Sequence, residues 1–361
     1  MPLVPSYIKS LANYVPGKPI DEVQREMGIQ EVIKLASNEN SLGPSHRAMA
    51  AMRLAMDKIH RYPDASGYTL RKKLASSFDV KIDNVVLGAG SEGIMSTIMR
   101  TFLLNDDEII SAEHSFIGFR VLANATGKKV HWVPMKNYKY DLEAMAEEIN
   151  EYTKLIYIAN PDNPMGTYIT RKEFDSFYQH VPERVLIILD EAYFEFAKDT
   201  KDYPDSMTYR YDNVITLRTF SKAYGLAGAR IGYGFAHDEL INNLLKVKVP
   251  FEPSYLGQVA GYAALDDHDF LNKTIEINKG GMEHLTSALD ELNIQYVPSI
   301  TNFITMVWDS EERAASITND LLKNGVIVRQ LTAFGWGNCI RVSIGLKDEN
   351  DRFISKIKEL V

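Results

Sequence analysis

The sequence predicts an α/β protein with a mostly parallel central sheet in a large domain, followed by a smaller α+β domain at the C-terminus. Two features of the pattern predict this class. From residue 81 onward, short apolar runs rich in β-branched residues alternate with stretches of helical periodicity, as expected for a parallel sheet covered by helices. In roughly the last hundred residues the order changes, and a long amphipathic stretch at 270–293 precedes three β-rich runs.

The chain is expected to divide into three segments. Residues 1–30 are interrupted by proline and glycine, and we expect them to form an extended arm. We expect a large ligand-binding domain at 31–255 and a small domain at 256–361. A chain of 361 residues is long enough to bury a core in each of them.

Seven apolar runs of the large domain are predicted to be strands. The runs at 154–161 and 184–194 are continuously apolar until they end in polar residues, which is typical of strands buried on both faces of a parallel sheet. The other strands are predicted within 84–90, 107–112, 128–135, 212–222 and 229–236.

The composition argues against several classes of function. The net charge of −8 is unlike that of a nucleic-acid-binding protein, whose surface would be basic. The single cysteine, Cys339, cannot form a disulfide framework within the chain or a zinc ribbon, and it fits a reducing compartment. Prolines interrupt the N-terminus where a signal peptide needs an apolar core, and no apolar run approaches the length of a membrane span. We therefore expect a cytoplasmic protein with no membrane partner, no nucleic-acid partner and no metal centre.

Polar residues cluster after the predicted strands. In open α/β sheets, ligands bind beyond the carboxyl ends of the strands, so these residues are the first candidates for a site. They comprise a glycine-led helix start, an amide, an acid, a phenol, a lysine with neighbouring hydroxyls and an arginine: Gly90, Ser91, Glu92, Asn163, Asp190, Tyr193, Thr219, Ser221, Lys222 and Arg230.

The segment GAGSEG at 88–93 has more than one interpretation. As a tight turn into a helix, it needs only Ser91 as an N-cap. As a ligand site, its backbone N–H groups and the helix dipole would hold an anion. It also spells the GxGxxG pattern of dinucleotide-binding proteins, but no clear acidic partner follows a second strand, and a nicotinamide-dependent dehydrogenase leaves Lys222 and Asp190 unexplained.

Asp190 and Lys222 are the most informative of these candidates. Asp190 could cap a turn, but a carboxylate at the end of a buried strand is costly unless it has a cationic partner. A lone lysine is more often solvated, but Lys222 lies near Ser221 and Arg230, and this set suits a ligand with both a carbonyl group and a phosphate. Pyridoxal 5′-phosphate satisfies the whole set, because it has an aldehyde, a protonated ring nitrogen and a phosphate.

Nearly all of the chain resembles the fold-type-I pyridoxal-phosphate-dependent aminotransferases. The segments RTFSKAYGLAGARIGYG (218–234) and NPDNPMGT (160–167) are similar to motifs of that whole group. The segments YVPGKP (14–19) and IKLASNENSLGPS (33–45) resemble those of its histidinol-phosphate aminotransferase branch. The resemblance implies the fold-type-I architecture, bound pyridoxal 5′-phosphate and a homodimer.

The resemblance also implies residue roles at the cofactor. The implied catalytic residues are Lys222, which bonds to the cofactor aldehyde and then moves a proton, Asp190, which pairs with the pyridine nitrogen, and Tyr193. Tyr193 and Asn163 would bind the ring oxygen, and Phe116 would stack on the ring, where many relatives have tyrosine. The rest of the implied cofactor-binding set is Gly90, Ser91, Glu92, Thr219, Ser221, Arg230 and, reaching from one subunit to the other, Tyr62.

Four further residues are implied to bind substrate. Arg341 resembles the arginine that holds the α-carboxylate of the amino donor, and Arg329 the one that holds the substrate phosphate or the distal carboxylate of glutamate. Relatives often have proline after the latter arginine, where this chain has Gln330. Tyr14 in the arm is implied to close over the substrate, and Asn38 completes the set.

The implied reaction is transamination in histidine biosynthesis. L-Histidinol phosphate and 2-oxoglutarate would give imidazole-acetol phosphate and L-glutamate. An aromatic amino-acid aminotransferase and a threonine-phosphate decarboxylase share the cofactor and remain alternatives. A cofactor-binding regulator without catalysis is disfavoured, because the enzyme fold already uses the 361 residues.

Overall fold

The computed structural model describes residues 3–13 and 17–361, and its elements are numbered in chain order. The helices are α1 (Ser6–Lys9), α2 (Ile20–Met27), α3 (His46–Ala55), α4 (Tyr68–Ser77), α5 (Gly90–Phe102), α6 (Ile117–Ala125), α7 (Leu142–Glu147), α8 (Arg171–Tyr178), α9 (Phe194–Ala197), α10 (Asp238–Val247), α11 (Tyr255–Ala264), α12 (His268–Glu291), α13 (Glu311–Lys323) and α14 (Lys347–Leu360). The strands are β1 (Ile33–Lys34), β2 (Val85–Gly88), β3 (Glu108–Ala112), β4 (Val130–Val133), β5 (Thr153–Ala159), β6 (Leu186–Asp190), β7 (Val214–Thr219), β8 (Gly232–Phe235), β9 (Tyr296–Val297), β10 (Phe303–Val307), β11 (Val326–Ile327), β12 (Arg329–Leu331) and β13 (Trp336–Ser343).

The central sheet has seven strands in the order β2-β8-β7-β6-β5-β3-β4. All adjacent pairs from β7 to β4 are parallel, and only β8 runs antiparallel to its two neighbours. The chain between β7 and β8 contains no crossover helix, and a direct return of this kind can only place the next strand antiparallel. The prediction of a mostly parallel central sheet is confirmed.

Helices cover both faces of this sheet. Apolar residues of α5, α6 and α10 pack on one face, and those of α7 and α8 pack on the other. A third cluster joins α3, α4 and α11 to the edge formed by β2 and β8. All five residues of β6 are buried, as the continuous apolar run at this position predicted.

The C-terminal part forms a smaller α+β unit. Its antiparallel sheet has the order β12-β13-β10-β9, and apolar residues of α12, α13 and α14 pack with it in one cluster. Strand β1, near the N-terminus, pairs in parallel with β11, and Leu35 belongs to the same cluster. The segment after β1 therefore lies beside the smaller sheet, while the predicted boundaries at residues 30 and 255 stay a prediction.

Part of the segment predicted as an extended arm is helical, since Ile20–Met27 form α2. Helix α2 follows Pro19, carries Asp21 and Glu22 in its first turn, and ends at Gly28, which adopts the left-handed conformation at φ 70°. These are favourable features of a helix start and a helix end. The buried side chain of Val23 anchors one face of α2 against the rest of the protein. A short periodic stretch, hidden among prolines, was missed.

The parallel strands bring their carboxyl ends to one edge of the central sheet. The loops after β5, β6 and β7 meet there, and the N-terminus of α5 joins them because β2 is parallel to β7. Across residues 3–13 and 17–361, no helix combines the length and the apolar character needed to cross a bilayer.

Candidate active site

A cavity of about 200 Å³ lies at the carboxyl edge of the central sheet. It is lined by residues from five separate segments of the sequence. Eleven of the predicted cofactor-binding residues line it: Gly90, Ser91, Glu92, Phe116, Asn163, Asp190, Tyr193, Thr219, Ser221, Lys222 and Arg230. The topology therefore brings these residues, predicted from the sequence to share one ligand, around one cavity.

Asp190 is the last residue of β6, and one of its two carboxylate oxygens has a hydrogen-bond partner among the described residues while the other has none. The residue is 4% exposed, and its Oδ2 accepts a hydrogen bond of 2.8 Å from the hydroxyl of Tyr157. Its Oδ1 is buried and has no hydrogen-bond partner among the described residues. Burial raises the pKa of the Asp190 carboxyl to about 7. A cationic N–H group at Oδ1 would hold this carboxyl in its ionised form.

Lys222 extends from the loop after β7 into the same cavity. Its Nζ donates to the main-chain oxygen of Ser37 at 3.4 Å and lies 5.8 Å from the centre of the Tyr193 ring. Burial, with the positive charge of Arg341 acting in the same direction, lowers the pKa of the Lys222 amine to about 8. The neutral, nucleophilic form of this amine is therefore favoured near neutral pH compared with that of a solvated lysine.

The start of α5 and the end of β7 bring several hydrogen-bond donors to the cavity, where the Glu92 carboxylate lies 3.4 Å from the Arg230 guanidinium. Helix α5 begins at Gly90, whose φ of 75° and lack of a side chain bring the helix N-terminus close to Arg230. A Cβ on Gly90 would lie 2.7 Å from a guanidinium nitrogen of Arg230. The hydroxyls of Thr219 and Ser221, 3.0 Å apart, lie at the end of β7. Backbone N–H groups, hydroxyls and a guanidinium together form a set of donors suited to a phosphate.

A buried hydrogen-bonded group joins two loops of the site. The hydroxyl of Ser115 donates to Asp162 Oδ1 at 2.6 Å and lies 2.7 Å from the hydroxyl of Tyr140. Ser115 precedes Phe116, and Asp162 precedes Asn163, so these bonds hold the aromatic ring and the amide of the cavity wall in fixed relation. Burial raises the pKa of Asp162 to about 7.

The two predicted substrate arginines lie on neighbouring strands of the smaller sheet. Arg329 on β12 stands opposite Arg341 on β13 in the antiparallel register. The guanidinium of Arg341 contacts Oδ1 of Asn163 and donates to the main-chain oxygen of Ala36 at 3.1 Å. Arg341 therefore borders the cavity on the side of the smaller unit.

The remaining predicted site residues have different surroundings. Asn38 is buried, and its side-chain amide donates to the hydroxyl of Tyr193 at 2.9 Å. Tyr62 is 80% exposed, and its ring stacks on Phe251 with a centroid distance of 4.3 Å, so it lies away from the cavity of its own chain. Tyr14 lies outside the described residues.

Several residues of the site could not be found from the sequence. Tyr157 lies inside an apolar run, and only its partner across the sheet reveals that its hydroxyl serves Asp190. The bond between Ser115 and Asp162 depends on how two loops meet, 47 residues apart in the chain. The one available signal was chemical: a tyrosine hydroxyl in a strand buried on both faces needs a hydrogen-bond partner.

Comparison with known proteins agrees with this architecture. The sequence profile of the family "Aminotransferase class I and II" matches residues 30–357. The histidinol-phosphate aminotransferase of Brevibacillus brevis is 44% identical over 352 residues, which cover 96% of this chain and 95% of that protein. That of Moorella thermoacetica is 42% identical over 357 residues, which cover 98% of this chain and 92% of the relative.

A solved structure extends the similarity to three dimensions. The crystal structure of histidinol-phosphate aminotransferase from Sinorhizobium meliloti, in complex with pyridoxal-5′-phosphate, superposes with a TM-score of 0.91 at 28% sequence identity. The match covers 100% of this chain and 98% of that one. The chain therefore belongs to the class I and II aminotransferases and, within them, to the histidinol-phosphate aminotransferases.

Proposed function

We propose that the protein is a pyridoxal-phosphate-dependent transaminase that converts L-histidinol phosphate and 2-oxoglutarate to imidazole-acetol phosphate and L-glutamate, a reaction of histidine biosynthesis. One observation carries the proposal. The buried amine of Lys222 and a buried carboxylate oxygen of Asp190, which has no hydrogen-bond partner among the described residues, face one cavity that Gly90, Ser91 and Arg230 also line.

The described residues fit pyridoxal 5′-phosphate at three points. Asp190 Oδ1 is a buried acceptor with no hydrogen-bond partner in residues 3–13 and 17–361, and a protonated pyridine nitrogen would satisfy it. Lys222 has a lowered pKa and can react with an aldehyde at neutral pH. The start of α5, with Gly90 lacking a Cβ beside Arg230, lets the guanidinium lie close to the backbone N–H groups of the helix start, and both kinds of donor suit a phosphate.

Several residues of the chain have distinct roles in the proposed reaction. The bound cofactor supplies an electron-withdrawing pyridine ring, which stabilises negative charge developing on the substrate. Asp190 would accept a hydrogen bond from the protonated ring nitrogen, and Tyr193 and Asn163 would hold the ring oxygen. Phe116 would pack against the ring and help to exclude water. The neutral Nζ of Lys222 accepts the proton that leaves the substrate Cα.

The two substrates share one site because both are anions. We assign the α-carboxylate of glutamate to Arg341, and the substrate phosphate or the distal carboxylate to Arg329, since a guanidinium fork fits the oxygens of either group. Gln330, where relatives often have proline, donates its side-chain amide to the main-chain oxygen of Gly337 at 2.9 Å. The residue therefore supports the pairing of β12 with β13 rather than the substrate.

We further propose a homodimer in the cytoplasm. The exposed ring of Tyr62 and the neighbouring Phe251, which is 42% exposed, form an aromatic surface outside the cavity. In a dimer, Tyr62 of the partner subunit would reach the phosphate end of the site and complete it.

A substrate panel tests the proposed reaction. The loaded protein is mixed with L-histidinol phosphate, phenylalanine, tyrosine or threonine phosphate, with 2-oxoglutarate as acceptor, and glutamate and oxo products are measured. We expect kcat/KM to be highest for histidinol phosphate. A preference for phenylalanine or tyrosine would favour the aromatic aminotransferase. Release of carbon dioxide from threonine phosphate without an oxo product would favour the decarboxylase.

A further inference from the structure

Asn38 is committed to protein partners rather than open to a substrate. It is 1% exposed, and Nδ2 donates to the hydroxyl oxygen of Tyr193 at 2.9 Å. Its Oδ1 accepts a hydrogen bond of 3.1 Å from the hydroxyl of Ser343 on β13. The amide thus connects the smaller sheet to a phenol that lines the cavity.

The backbone of Asn38 is held as firmly as its side chain. Its N–H donates to the Ser343 hydroxyl oxygen at 2.8 Å, and its carbonyl oxygen accepts from the Asn302 amide at 3.2 Å. The residue lies in the left-handed region at φ 53°, which asparagine tolerates better than most residues. Two residues earlier, Arg341 donates to the carbonyl of Ala36, so this segment follows β13 closely.

The hydrogen bonds determine which way the amide faces. The Ser343 hydroxyl is buried and already accepts the Asn38 N–H, so its own hydrogen needs an acceptor. Among the described residues, Asn38 Oδ1 accepts the hydrogen of the Ser343 hydroxyl. If the amide turned over, its NH₂ group would meet Ser343, and that hydrogen would lose its acceptor, at the cost of an unsatisfied buried donor. The Asn38 NH₂ group therefore faces Tyr193.

The direction of this bond decides where the Tyr193 hydrogen points. An oxygen that accepts from Asn38 turns its own hydrogen away from that donor. We propose that Asn38, anchored by Ser343, is a positioning residue that directs the hydroxyl hydrogen of Tyr193 into the cavity, where it donates to the ring oxygen of the cofactor. The inference rests on the proposed function and adds to it.

The charge state of Tyr193 agrees with this role. Burial raises the pKa of the Tyr193 phenol to about 12, so it keeps its hydrogen throughout the working range of pH. The charged groups that act on the phenol include Arg341, Asp190 and Asp162, and none of them is altered in the variants below.

The test measures the cofactor spectrum rather than activity alone. A donor to the ring oxygen stabilises the deprotonated form of the bound cofactor, so it lowers the pH midpoint at which the visible absorption band changes. The Asn38→Asp variant keeps the size and the left-handed backbone but replaces the NH₂ donor by an acceptor. It should attract the Tyr193 hydrogen and raise the midpoint by about one pH unit.

A double-mutant cycle separates this effect from the added charge. Asn38→Asp is also made in a Tyr193→Phe background, where no hydroxyl remains to be turned, and there the midpoint shift reports only the charge. We expect the shift in the wild-type background to exceed the shift in the Tyr193→Phe background by about one pH unit. Equal shifts in the two backgrounds, or none in either, overturn the proposal.

Ser343 provides a second pair of variants if Asn38→Asp fails to fold or to load the cofactor. Ser343→Ala removes the anchor and should raise the midpoint, whereas Ser343→Thr keeps the hydroxyl and should restore the wild-type value. A Ser343→Ala midpoint equal to that of the wild type overturns the proposal. A wild-type protein that shows no visible band with pyridoxal 5′-phosphate contradicts the proposed function instead, so the two failures are distinct.

Discussion

At the scale of single residues, the site is governed by burial of two groups with opposite ordinary charges. Burial raises the pKa of Asp190 to about 7 and lowers the pKa of Lys222 to about 8. Without a ligand, burial therefore favours the neutral form of each group. A ligand that brings a cation to the acid and an aldehyde to the amine relieves both at once.

The rate at which the protein binds pyridoxal 5′-phosphate should depend on pH, because the lowered pKa of Lys222 determines how much of its amine is neutral. Only the neutral amine adds to an aldehyde, and an amine is neutral above its pKa. The rate constant for uptake of pyridoxal 5′-phosphate by cofactor-free protein should rise about tenfold per pH unit up to about pH 8 and be level above it. Stopped-flow absorbance measures this rate. A profile still rising at pH 10 would mean that Lys222 behaves as an ordinary solvated lysine.

A pair of charge variants controls this measurement. Arg341→Gln removes a positive charge that lowers the pKa of Lys222, so the level region should begin at a higher pH. Arg313→Gln removes the same charge from the distant helix α13 and should leave the profile in place.

Residues at strand ends could be predicted from the sequence, whereas their supporting partners could not. Asp190 and Lys222 follow apolar runs, and the rule for parallel sheets brings such positions to one edge. Tyr157 and the pair Ser115–Asp162 depend on strand register and on loop contacts, which one sequence does not specify. Asn38 shows the same limit, because its amide meets Tyr193 and Ser343 only after folding.

At the scale of elements, the turn from β2 into α5 sets the phosphate end of the site. Gly90 combines a φ of 75° with close approach to the guanidinium of Arg230. A side chain at this position would meet both a strained backbone and a crowded neighbour. The glycine is therefore needed for the geometry of the anion site, beyond its place in a tight turn.

Gly90→Ala should weaken cofactor binding more than it harms the fold. The left-handed conformation costs an alanine about 1–2 kcal/mol, and displacement of Arg230 removes a phosphate contact, so we expect the Kd for pyridoxal 5′-phosphate to rise about tenfold or more. Fluorescence titration measures the Kd. Gly280→Ala in α12 is the matched control, because a Cβ there meets nothing within 4 Å. An unchanged Kd for Gly90→Ala would mean that this turn does not bind the cofactor phosphate.

The elements predicted best from the sequence are those with long apolar runs or a long amphipathic stretch. The apolar runs gave β5, β6 and β7 nearly as the structure has them, and the amphipathic stretch at 270–293 corresponds to α12. Helix α2 was not predicted because its eight residues lie between a proline and a glycine, and these two residues favoured an extended arm. The reversed direction of β8 depends on a short connection and does not appear in an apolar pattern.

At the scale of the whole molecule, exposed apolar residues around Tyr62 support the proposed homodimer. Ile59 is 58% exposed, Tyr62 is 80% exposed, and Phe251 stacks on the latter. Apolar groups that lie together on a surface favour association. In the proposed homodimer this surface is buried, and the predicted cofactor role of Tyr62 has its place only there.

Ile59→Glu should dissociate the proposed dimer and weaken the cofactor site together. A carboxylate buried at an apolar interface is strongly unfavourable, so analytical ultracentrifugation should show mainly monomer at micromolar concentration. The Kd for pyridoxal 5′-phosphate should rise as Tyr62 of the partner subunit is lost. Leu104→Glu, which places the same charge on an exposed residue after α5, should remain dimeric. A monomeric wild-type protein with full activity would contradict the homodimer.

Lys222 should carry the cofactor through a covalent bond to its amine, and borohydride trapping of that bond measures this. Borohydride reduction of the loaded protein fixes the bond between cofactor and amine, and the modified lysine then resists trypsin. Mass spectrometry should find the reduced cofactor on the peptide TFSKAYGLAGAR, residues 219–230, and on no other lysine-containing peptide. A cofactor found on a different lysine, or a protein that carries no cofactor after reduction, would contradict the assignment of Lys222.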